Sequence, residues 1–344
     1  MRDALKNGIL LINTGSPDSP EVPDVRRYLR QFLSDPRVID IAPLSRWLLV
    51  NFVILPRRPR ESAEGYASIW TERGSPLIFN SEDFRDGLRE RLPDAAIEIG
   101  MAYGGHSIPE GIDRLLSQGV DRIVLAPMFP QYASATVGAV LEVSYRTAAR
   151  KMNVPALSVI PPFYEDTPFL DAWAAIAGPQ LDAFCPDHIL MSYHGLPERQ
   201  IFKCDPSGTH CLKRDDCCER YAEGNPMCYR AHCLATTRGI ASRLGLSDSD
   251  FTVSFQSRLG REPWLTPATD ETVAEKARTG VKRLAVLSPA FVADCIETIE
   301  EIGMQARDIF LENGGEEFKL VTSLNSEPVW LDAFARIVRE ALSP

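Results

Sequence analysis

Short apolar runs alternate along the chain with longer segments in which apolar residues recur at helical spacing. The apolar runs predict eight β-strands, over residues 8–13, 97–103, 122–127, 156–161, 188–193, 251–255, 283–288 and 318–323. The segments between them predict helices over residues 24–34, 82–91, 169–183, 225–244, 270–279, 294–304 and 328–342. A further helix is expected to begin at Ser107, where Ser107-Ile-Pro-Glu110 forms a capping box with proline inside it.

Strands that alternate with helices are typical of parallel sheets in an α/β fold. Eight strands could form one barrel or two open sheets. A proline-rich break at residues 160–168 lies near the middle of the 344-residue chain. We therefore expect two doubly wound, Rossmann-like domains. The first comprises residues 1–160 and is completed by the C-terminal helix, at about 324–344, and the second comprises residues 161–323.

Composition and charge narrow the possible functions. The net charge of −10 argues against a nucleic-acid partner, because phosphate binding requires a basic surface. The N-terminal segment has no apolar run of signal-peptide length, and no stretch approaches the ~20 apolar residues of a membrane span. We therefore expect a cytoplasmic protein, in a compartment where thiols stay reduced.

Six of the eight cysteines fall between Cys204 and Cys233. In a reducing compartment such a concentration indicates a metal centre more than disulfides, with unrelated buried thiols as the alternative. An iron–sulfur cluster needs four thiolates. Structural zinc uses four cysteines, or three cysteines and a histidine, and His210 or His232 could take part. Both centres remain open on this pattern.

Two predicted strands end in residues that could carry chemistry, and ligands of open α/β sheets bind beyond the carboxyl ends of strands. His194 directly follows one apolar strand and precedes Gly195, which lets the backbone turn. Imidazole has an ordinary pKa of about 6.5, which suits a proton acceptor near neutral pH. A structural histidine that bonds a loop carbonyl is the alternative.

The second strand end precedes a helix that carries three acids. Asp294, Glu297 and Glu301 are spaced i, i+3 and i+7, so they are expected to share one helix face. Phe291 and Val292 indicate that the start of this helix is partly buried. Aligned carboxylates in a cleft can bind a divalent cation or pass protons, whereas a solvated face would also explain three acids.

Six blocks of the sequence closely resemble the ferrochelatase family. They are "GILLINTGSPDSPEVPDVRRYLRQFLSDPRVID", "YASIWTERGSPL", "FPQYASATVG", "SYHGLP", "QSRLGREPWLTPATDE" and "PAFVADCIETIEEIG", and they occur in the family's order. The resemblance implies a chelatase-type fold with a porphyrin cleft between two α/β domains. It also implies an enzyme that inserts its substrate Fe²⁺ into protoporphyrin IX, with release of two protons, in the last step of haem biosynthesis.

The resemblance also implies roles for individual residues. His194 and Glu297 are expected to be catalytic and to contact the substrate iron, while Asp294 and Glu301 form a path for protons or metal. The residues expected to contact the porphyrin are Tyr66, Ser75, Ser134, Trp264, Phe291, Arg57 and Arg58. A coproporphyrin III ferrochelatase, another tetrapyrrole chelatase and a non-catalytic haem or iron–sulfur module are the alternatives.

The segment "LSRWLLVNFVILPRRPR" is nearly all apolar from Trp47 to Leu55 and then carries three arginines. It is too short to span a bilayer, so it predicts either a buried helix or, as the resemblance implies, an apolar lip over the pocket. Such a lip, at residues 44–58, would suit the more apolar protoporphyrin. It could also contact a membrane surface peripherally, with its arginines at the headgroups. Monomer and homodimer both remain open.

Some bacterial relatives resemble this chain in having an internal cysteine-rich insert that holds a [2Fe–2S] cluster. The resemblance therefore implies such a cluster within residues 204–233. The expected ligands are Cys211, Cys218, Cys228 and Cys233, with Cys217 as the first substitute and Cys204 as a further candidate. Zinc remains the rival centre.

Overall fold

The computed structural model describes residues 6–219, 224–258, 260 and 262–342. Within these residues eight strands form two four-stranded sheets, and their pairings are parallel. The strands are β1 Asn7–Ser16, β2 Ala96–Gly104, β3 Arg122–Pro127, β4 Ala156–Val159, β5 His188–His194, β6 Phe251–Gln256, β7 Arg283–Leu287 and β8 Glu317–Leu320. Every predicted strand is present, and the predicted α/β class is confirmed.

Twelve α-helices connect and flank the strands in the described part of the chain. They are α1 Val22–Ser34, α2 Pro43–Leu48, α3 Arg58–Ile69, α4 Pro76–Arg91, α5 Ile108–Ser117, α6 Ala139–Ala149, α7 Thr167–Phe184, α8 Glu198–Lys203, α9 Tyr229–Leu244, α10 Thr269–Arg278, α11 Arg307–Glu312 and α12 Pro328–Leu342. The predicted capping box begins α5, where the Ser107 hydroxyl accepts from the Glu110 amide and the Glu110 carboxylate accepts from the Ser107 amide.

Three further helical segments have π geometry in the described residues: π1 Leu49–Ile54, π2 Ser134–Gly138 and π3 Glu297–Ala306. Their backbone hydrogen bonds reach five residues back, as from the Arg307 amide to the Ile302 carbonyl. Such segments are rare and are often found at functional sites. The sequence predicts an α-helix over residues 294–304, and the structure corrects this to π3, which begins after Asp294.

The chain divides into two compact units, each with one sheet. The N-terminal unit runs through Phe129, resumes over Ser134–Pro162 and ends with the segment from Ser326 onwards. The C-terminal unit comprises Pro130–Ala133 and Phe163–Asn325. The porphyrin cleft expected between two domains stays a prediction.

Each sheet is buried between helices. Its strands have nearly continuous apolar sequences because both of their faces are covered. In the N-terminal unit Leu10, Ile12 and Leu125 pack with Ile108 and Ile112 of α5. In the C-terminal unit an equivalent core joins the two central strands to the helices around them. Its buried members are Leu190, Val273, Ala277, Leu284, Val286, Ile302, Ala306 and Phe310.

The order of strands explains where ligands can bind. The N-terminal sheet runs β2-β1-β3-β4 and the C-terminal sheet runs β6-β5-β7-β8. In the second sheet the chain moves from β5 to one side and returns to β7 on the other. The carboxyl ends of β5 and β7 therefore flank a topological switch point, where open α/β sheets leave a crevice for ligands.

Candidate active site

His194 is the last residue of β5 and lies at this switch point. It is half-buried, and its Nδ1 lies 2.7 Å from the carbonyl oxygen of Gly195. Since a carbonyl can only accept, Nδ1 carries the proton in the neutral ring and Nε2 holds the free lone pair. The structural hydrogen bond and the chemical role thus use different nitrogens, and Nε2 is the atom that can take a proton.

The backbone beside His194 is closely surrounded. A Cβ at Gly195 would meet the Gln256 carbonyl oxygen at 2.8 Å and the ring of Trp264 at 3.2 Å, so glycine is required by this close approach. The Trp264 ring is held there because the Pro197 segment pairs with the Trp264 segment in an isolated antiparallel bridge. An aromatic ring therefore lies beside Gly195, the residue that follows the candidate base.

Gln256 connects the end of β6 to the acids of π3. Its Cα pairs with that of His194 across the sheet. Its side-chain nitrogen donates to the Glu297 carbonyl oxygen at 2.8 Å and to Glu301 Oε2 at 3.1 Å. Its Oε1 accepts from the buried hydroxyl of Ser192 at 3.0 Å. One buried amide thus fixes the start of π3 against β5 and β6.

Glu301 lies close enough to Glu297 and His194 to interact electrostatically with both. Burial and then the negative charge of Glu297 raise the pKa of Glu301, while hydrogen bonds from Ser257 and Gln256 and the charge that His194 can carry act in the opposite direction. The structure therefore places Glu301 near both His194 and Glu297, and the raised pKa of Glu301 favours its protonated form.

Ser257 donates a hydrogen bond to Glu301 Oε2. The residue has a φ of +67°, in the left-handed region that costs a side-chain-bearing residue about 1 kcal/mol or more. This conformation turns the chain directly after β6. The hydroxyl and the neighbouring Gln256 amide then meet the same carboxylate.

Asp294 does not share a helix face with the two glutamates. It precedes π3, and its carboxylate accepts from the Thr298 hydroxyl at 3.0 Å and from the Asn325 side-chain amide at 2.8 Å. The Asp294 amide in turn donates to Asn325 Oδ1 at 2.8 Å. These bonds tie the loop after β8 to the start of π3, so Asp294 supports the position of Glu297.

Phe291 and the other predicted porphyrin contacts lie on several different elements. Phe291 is half-buried in the turn after β7, where its amide donates to the Ser288 carbonyl. Tyr66 is buried in α3 with its ring 6.1 Å from that of Tyr28. Ser75 caps α4 without a side-chain bond to its backbone, and Ser134 begins π2 and accepts a hydrogen bond from Arg37 at 2.9 Å.

Arg57 and Arg58 are exposed at the start of α3. They follow α2 and π1, which contain the predicted lip. The lip is helical and one of its faces lies in solvent: Leu44, Trp47, Leu48, Phe52 and Val53 are exposed, Phe52 by 65%, whereas Val50 and Leu55 are buried. The buried-helix alternative is therefore excluded. In the described residues no helix has both the length and the apolarity needed to cross a bilayer.

The described part of the cysteine segment, residues 204–219 and 224–233, folds around Asp205. The Asp205 carboxylate accepts from the Ser207 hydroxyl and from the amides of Ser207, His210 and Cys211. The Ser207 hydrogen bond first, with the backbone amides, lowers the pKa of Asp205. His210 Nε2 then donates to the Cys217 carbonyl at 2.9 Å. The segment is thus held by its own polar groups.

Five of its cysteines are buried and all are free thiols: Cys211, Cys217, Cys218, Cys228 and Cys233. The sulfurs of Cys217 and Cys218 lie 3.6 Å apart, and Cys228 interacts with both Cys211 and Cys218. Cys204 is half-buried at the end of α8. Burial raises the pKa of Cys211 to about 11. Among the described residues, no group of three or more metal-binding side chains is arranged to hold a metal ion.

His232 is not available as a metal ligand in this arrangement. Its Nδ1 accepts from the Tyr132 amide at 3.1 Å, and its Nε2 donates to the Pro226 carbonyl at 3.0 Å. Both ring nitrogens are therefore used in backbone hydrogen bonds. This observation disfavours a zinc site built from three cysteines and His232.

Sequence reasoning missed Gln256 and Ser257 as site residues. Both fall inside the quoted block that begins with Gln256, directly after the strand predicted to end at residue 255. That position was itself the available signal, because ligand-binding residues follow the carboxyl ends of strands. Glu301 and Trp264 were predicted, and the structure places both beside the His194 strand end.

A family model described as Ferrochelatase matches residues 6–342. Among curated relatives, ferrochelatase from Azotobacter vinelandii is 48% identical over 97% of this chain and 98% of its own length. Ferrochelatase from Stutzerimonas stutzeri is 45% identical over 98% of each chain.

Among solved structures, SirB from Bacillus subtilis with Fe³⁺ aligns with a TM-score of 0.55 at 13% identity. The alignment covers 98% of this chain and 96% of SirB. At that identity the likeness speaks for the fold alone, and the fold is of the chelatase type. The match of the family model and the near-full-length relatives establish the family: this chain belongs to the ferrochelatases.

Proposed function

We propose that this protein is a ferrochelatase that inserts Fe²⁺ into protoporphyrin IX to form protohaem, in the last step of haem biosynthesis. The observation that carries the proposal is the meeting of His194, Glu297 and Glu301 at the switch point of one parallel sheet. Metallation must remove two protons from the pyrrole nitrogens while a cation enters. An imidazole beside two carboxylates supplies the groups for both tasks.

In this reaction the Nε2 lone pair of His194 accepts a pyrrole proton. The carboxylate of Glu297 contacts the incoming iron or takes the second proton, and Glu301 passes that proton away from the ring. The raised pKa of Glu301 suits this transfer, because a carboxyl group that readily holds a proton can receive one from its neighbour. Gln256 holds Glu297 in place through its hydrogen bond to the Glu297 carbonyl, and Asp294 lies with Glu301 on the proposed path for protons or metal.

The porphyrin face is expected to lie against Trp264 and Phe291, since aromatic rings pack well on a large π system. Contacts from the N-terminal unit are proposed for Tyr66, Ser75 and Ser134, with Arg57 and Arg58 pairing with the propionates. The exposed apolar lip favours protoporphyrin over the more polar coproporphyrin III. It also supports peripheral contact with a membrane surface.

A resident [2Fe–2S] cluster is proposed for the cysteine segment, with Cys211, Cys218, Cys228 and Cys233 as ligands. The donor chemistry fits, because these buried thiols are free and three of them interact with one another. Bound there, the cluster would supply a redox-active centre. Burial raises the pKa of Cys211 and of Cys233, and both thiols would have to lose their protons to bind the cluster.

The test compares His194→Ala and Glu297→Gln with Glu300→Gln, a matched control in the same helix whose carboxylate accepts from Gln305. Iron insertion is followed by haem absorbance, and porphyrin binding by fluorescence. Both site variants should lose at least about 100-fold in kcat while still binding porphyrin, and the control should stay near wild type. Iron insertion by either site variant at the wild-type rate would refute the proposed roles. Parallel kinetics with protoporphyrin IX and coproporphyrin III test the substrate.

A further inference from the structure

The loop Pro130–Ala133 is the short segment of the first half of the chain that packs with the C-terminal unit. It follows β3 and leads directly into Ser134, the first residue of π2. Ser134 is a proposed porphyrin contact. The conformation of this loop therefore sets where the chain enters π2.

His232 forms a side-chain attachment of this loop. The ring is 1% exposed, in the first turn of α9. Its Nδ1 accepts from the Tyr132 backbone amide at 3.1 Å, and it stacks on Tyr164 with 3.8 Å between ring centroids and 8° between planes. An amide can only donate, so the neutral ring carries its proton on Nε2. That nitrogen donates to Pro226 O at 3.0 Å.

Thr236, one helical turn further along α9, forms a second attachment. Its hydroxyl accepts from the Gln131 side-chain amide at 2.9 Å and donates to the Tyr164 carbonyl at 2.7 Å. Gln131 and Thr236 are both buried. Two successive loop residues are thus held by two side chains on one face of the same helix.

The same ring is attached to the cysteine segment. Cys233 follows His232 directly, and the Pro226 carbonyl that accepts from His232 is two residues before Cys228. A change in the position of either cysteine would therefore move one end of a rigid, planar side chain whose other end holds the loop.

We propose that His232 is a positioning residue that clamps the loop Pro130–Ala133 to α9 and so couples the cysteine segment to the placement of Ser134. The link to catalysis rests on the proposed function of Ser134, whereas the clamp itself does not. His232 needs no contact with substrate or iron to exert this effect.

Two conservative variants separate the two ends of the clamp. In His232→Asn the side-chain oxygen takes the place of Nδ1 and can still accept from Tyr132. In His232→Gln the side-chain amide reaches the place of Nε2 and can still donate to Pro226, but the Tyr132 amide loses its acceptor. Thr236→Val removes the second attachment with almost no change of volume and serves as an independent variant.

Amide hydrogen exchange of the full-length protein measures directly how well the amides of this loop are protected. Exchange over residues 130–138 should rise about fivefold or more in His232→Gln and in Thr236→Val, which is the effect of one lost hydrogen bond, and should stay near wild type in His232→Asn. Unchanged exchange in both of the first two variants would overturn the clamp. Cys228→Ser should also raise exchange in the loop, and an unchanged loop there would overturn the coupling.

Kinetics then test the link to the reaction. His232→Gln is expected to raise the KM for porphyrin about threefold or more with kcat nearly unchanged, and His232→Asn should restore the wild-type KM. If exchange rises while the KM stays constant, the loop does not place Ser134 for substrate and that part of the inference fails. If the wild-type protein inserts no iron, the proposed function fails, while the exchange result on the clamp stands.

Discussion

The side-chain amide of Gln256 donates a hydrogen bond to the Glu301 carboxylate, with 3.1 Å between Nε2 and Oε2. The same nitrogen donates to the backbone of Glu297, and Oε1 accepts from Ser192. Three buried or half-buried polar groups therefore depend on one side chain. Because Gln256 pairs with His194 in the sheet, its position also determines how the acids of π3 face the histidine.

Replacing Gln256 with leucine should lower both stability and activity. The substitution removes one hydrogen bond from each of three partners, so the free energy of unfolding should fall by about 2–4 kcal/mol. Iron insertion should fall in kcat because Glu297 and Glu301 lose their alignment. Chemical denaturation and initial rates measure the two effects.

Gln180→Leu is a matched control for this variant. Gln180 also makes three hydrogen bonds, to Ile176 and Thr322, but none of these partners lies in β5, β6 or π3. Its loss should cost less than about 1 kcal/mol, since water replaces the partners. Equal losses of activity in the two variants would contradict a special role for Gln256.

Glu301 should make the stability of the protein depend on pH in a defined direction. Its pKa in the folded state is raised above the ordinary value of 4.5, by burial first and by Glu297 second. The folded state therefore binds the proton more tightly than the unfolded state. The stabilisation is complete below about pH 4.5 and is lost as the pH rises through the folded-state pKa.

Glu301→Gln removes this proton-linked contribution, because the amide is neutral at every pH. The variant should gain stability relative to wild type as the pH rises from 4 to 8. Urea denaturation at several pH values measures the difference. A stability difference that is constant over this range would show that the pKa of Glu301 is not raised.

The strands could be predicted well from the sequence, because a strand that is covered on both faces needs a nearly continuous apolar run. The residues of the candidate active site could be predicted from the sequence less completely. Asp294 has the spacing of a shared helix face, but hydrogen bonds to Thr298 and Asn325 keep it outside the helix. An apolar pattern also cannot separate a π-helix such as π3 from an α-helix over three turns.

The convergence of the site depends on strand order, which periodicity does not encode. His194, Gln256 and Glu297 lie on or after three different strands and meet only because β5 is flanked by β6 and β7. His232 shows a related limit. Its place among cysteines left it open as a ligand of the rival zinc site, whereas in the structure its Nδ1 accepts from the Tyr132 amide of a loop 100 residues earlier.

The exposed lip predicts binding to anionic membranes. Trp47 and Phe52 lie in solvent with their rings 5.4 Å apart, close to Arg46 before them and Arg57 and Arg58 after them. In flotation with phosphatidylserine-containing vesicles, Trp47→Glu combined with Phe52→Glu should weaken binding at least about tenfold. Rising salt should weaken wild-type binding, because the arginines contribute through charge.

Met152→Glu is the control for this experiment, since Met152 is 98% exposed on the surface but lies outside the lip. It adds negative charge without removing apolar surface from the lip, and it should float like the wild type. Failure of the wild type to float with any anionic vesicle would rule out the membrane contact. An equal loss of vesicle binding in Met152→Glu would show that the added negative charge alone explains the effect.

Arg230 predicts a property of the proposed [2Fe–2S] cluster. Its guanidinium nitrogen Nη1 lies 3.2 Å from the sulfur of Cys218 and 3.9 Å from that of Cys217. A cation this close stabilises the more negative, reduced form of a thiolate-bound cluster. Arg230→Gln should therefore lower the reduction potential by about 60 mV, equal to a tenfold change in a one-electron equilibrium.

Arg214→Gln removes the same charge from the same segment, where Arg214 is exposed and paired with Asp216. Its potential should stay within about 15 mV of wild type, because exposed charges are screened by solvent. Redox titration followed by EPR measures both variants. A shared shift would mean that net charge alone sets the potential. An unshifted potential in Arg230→Gln would mean that Cys218 does not bind the cluster, and the ligand set would then have to be chosen from the remaining cysteines.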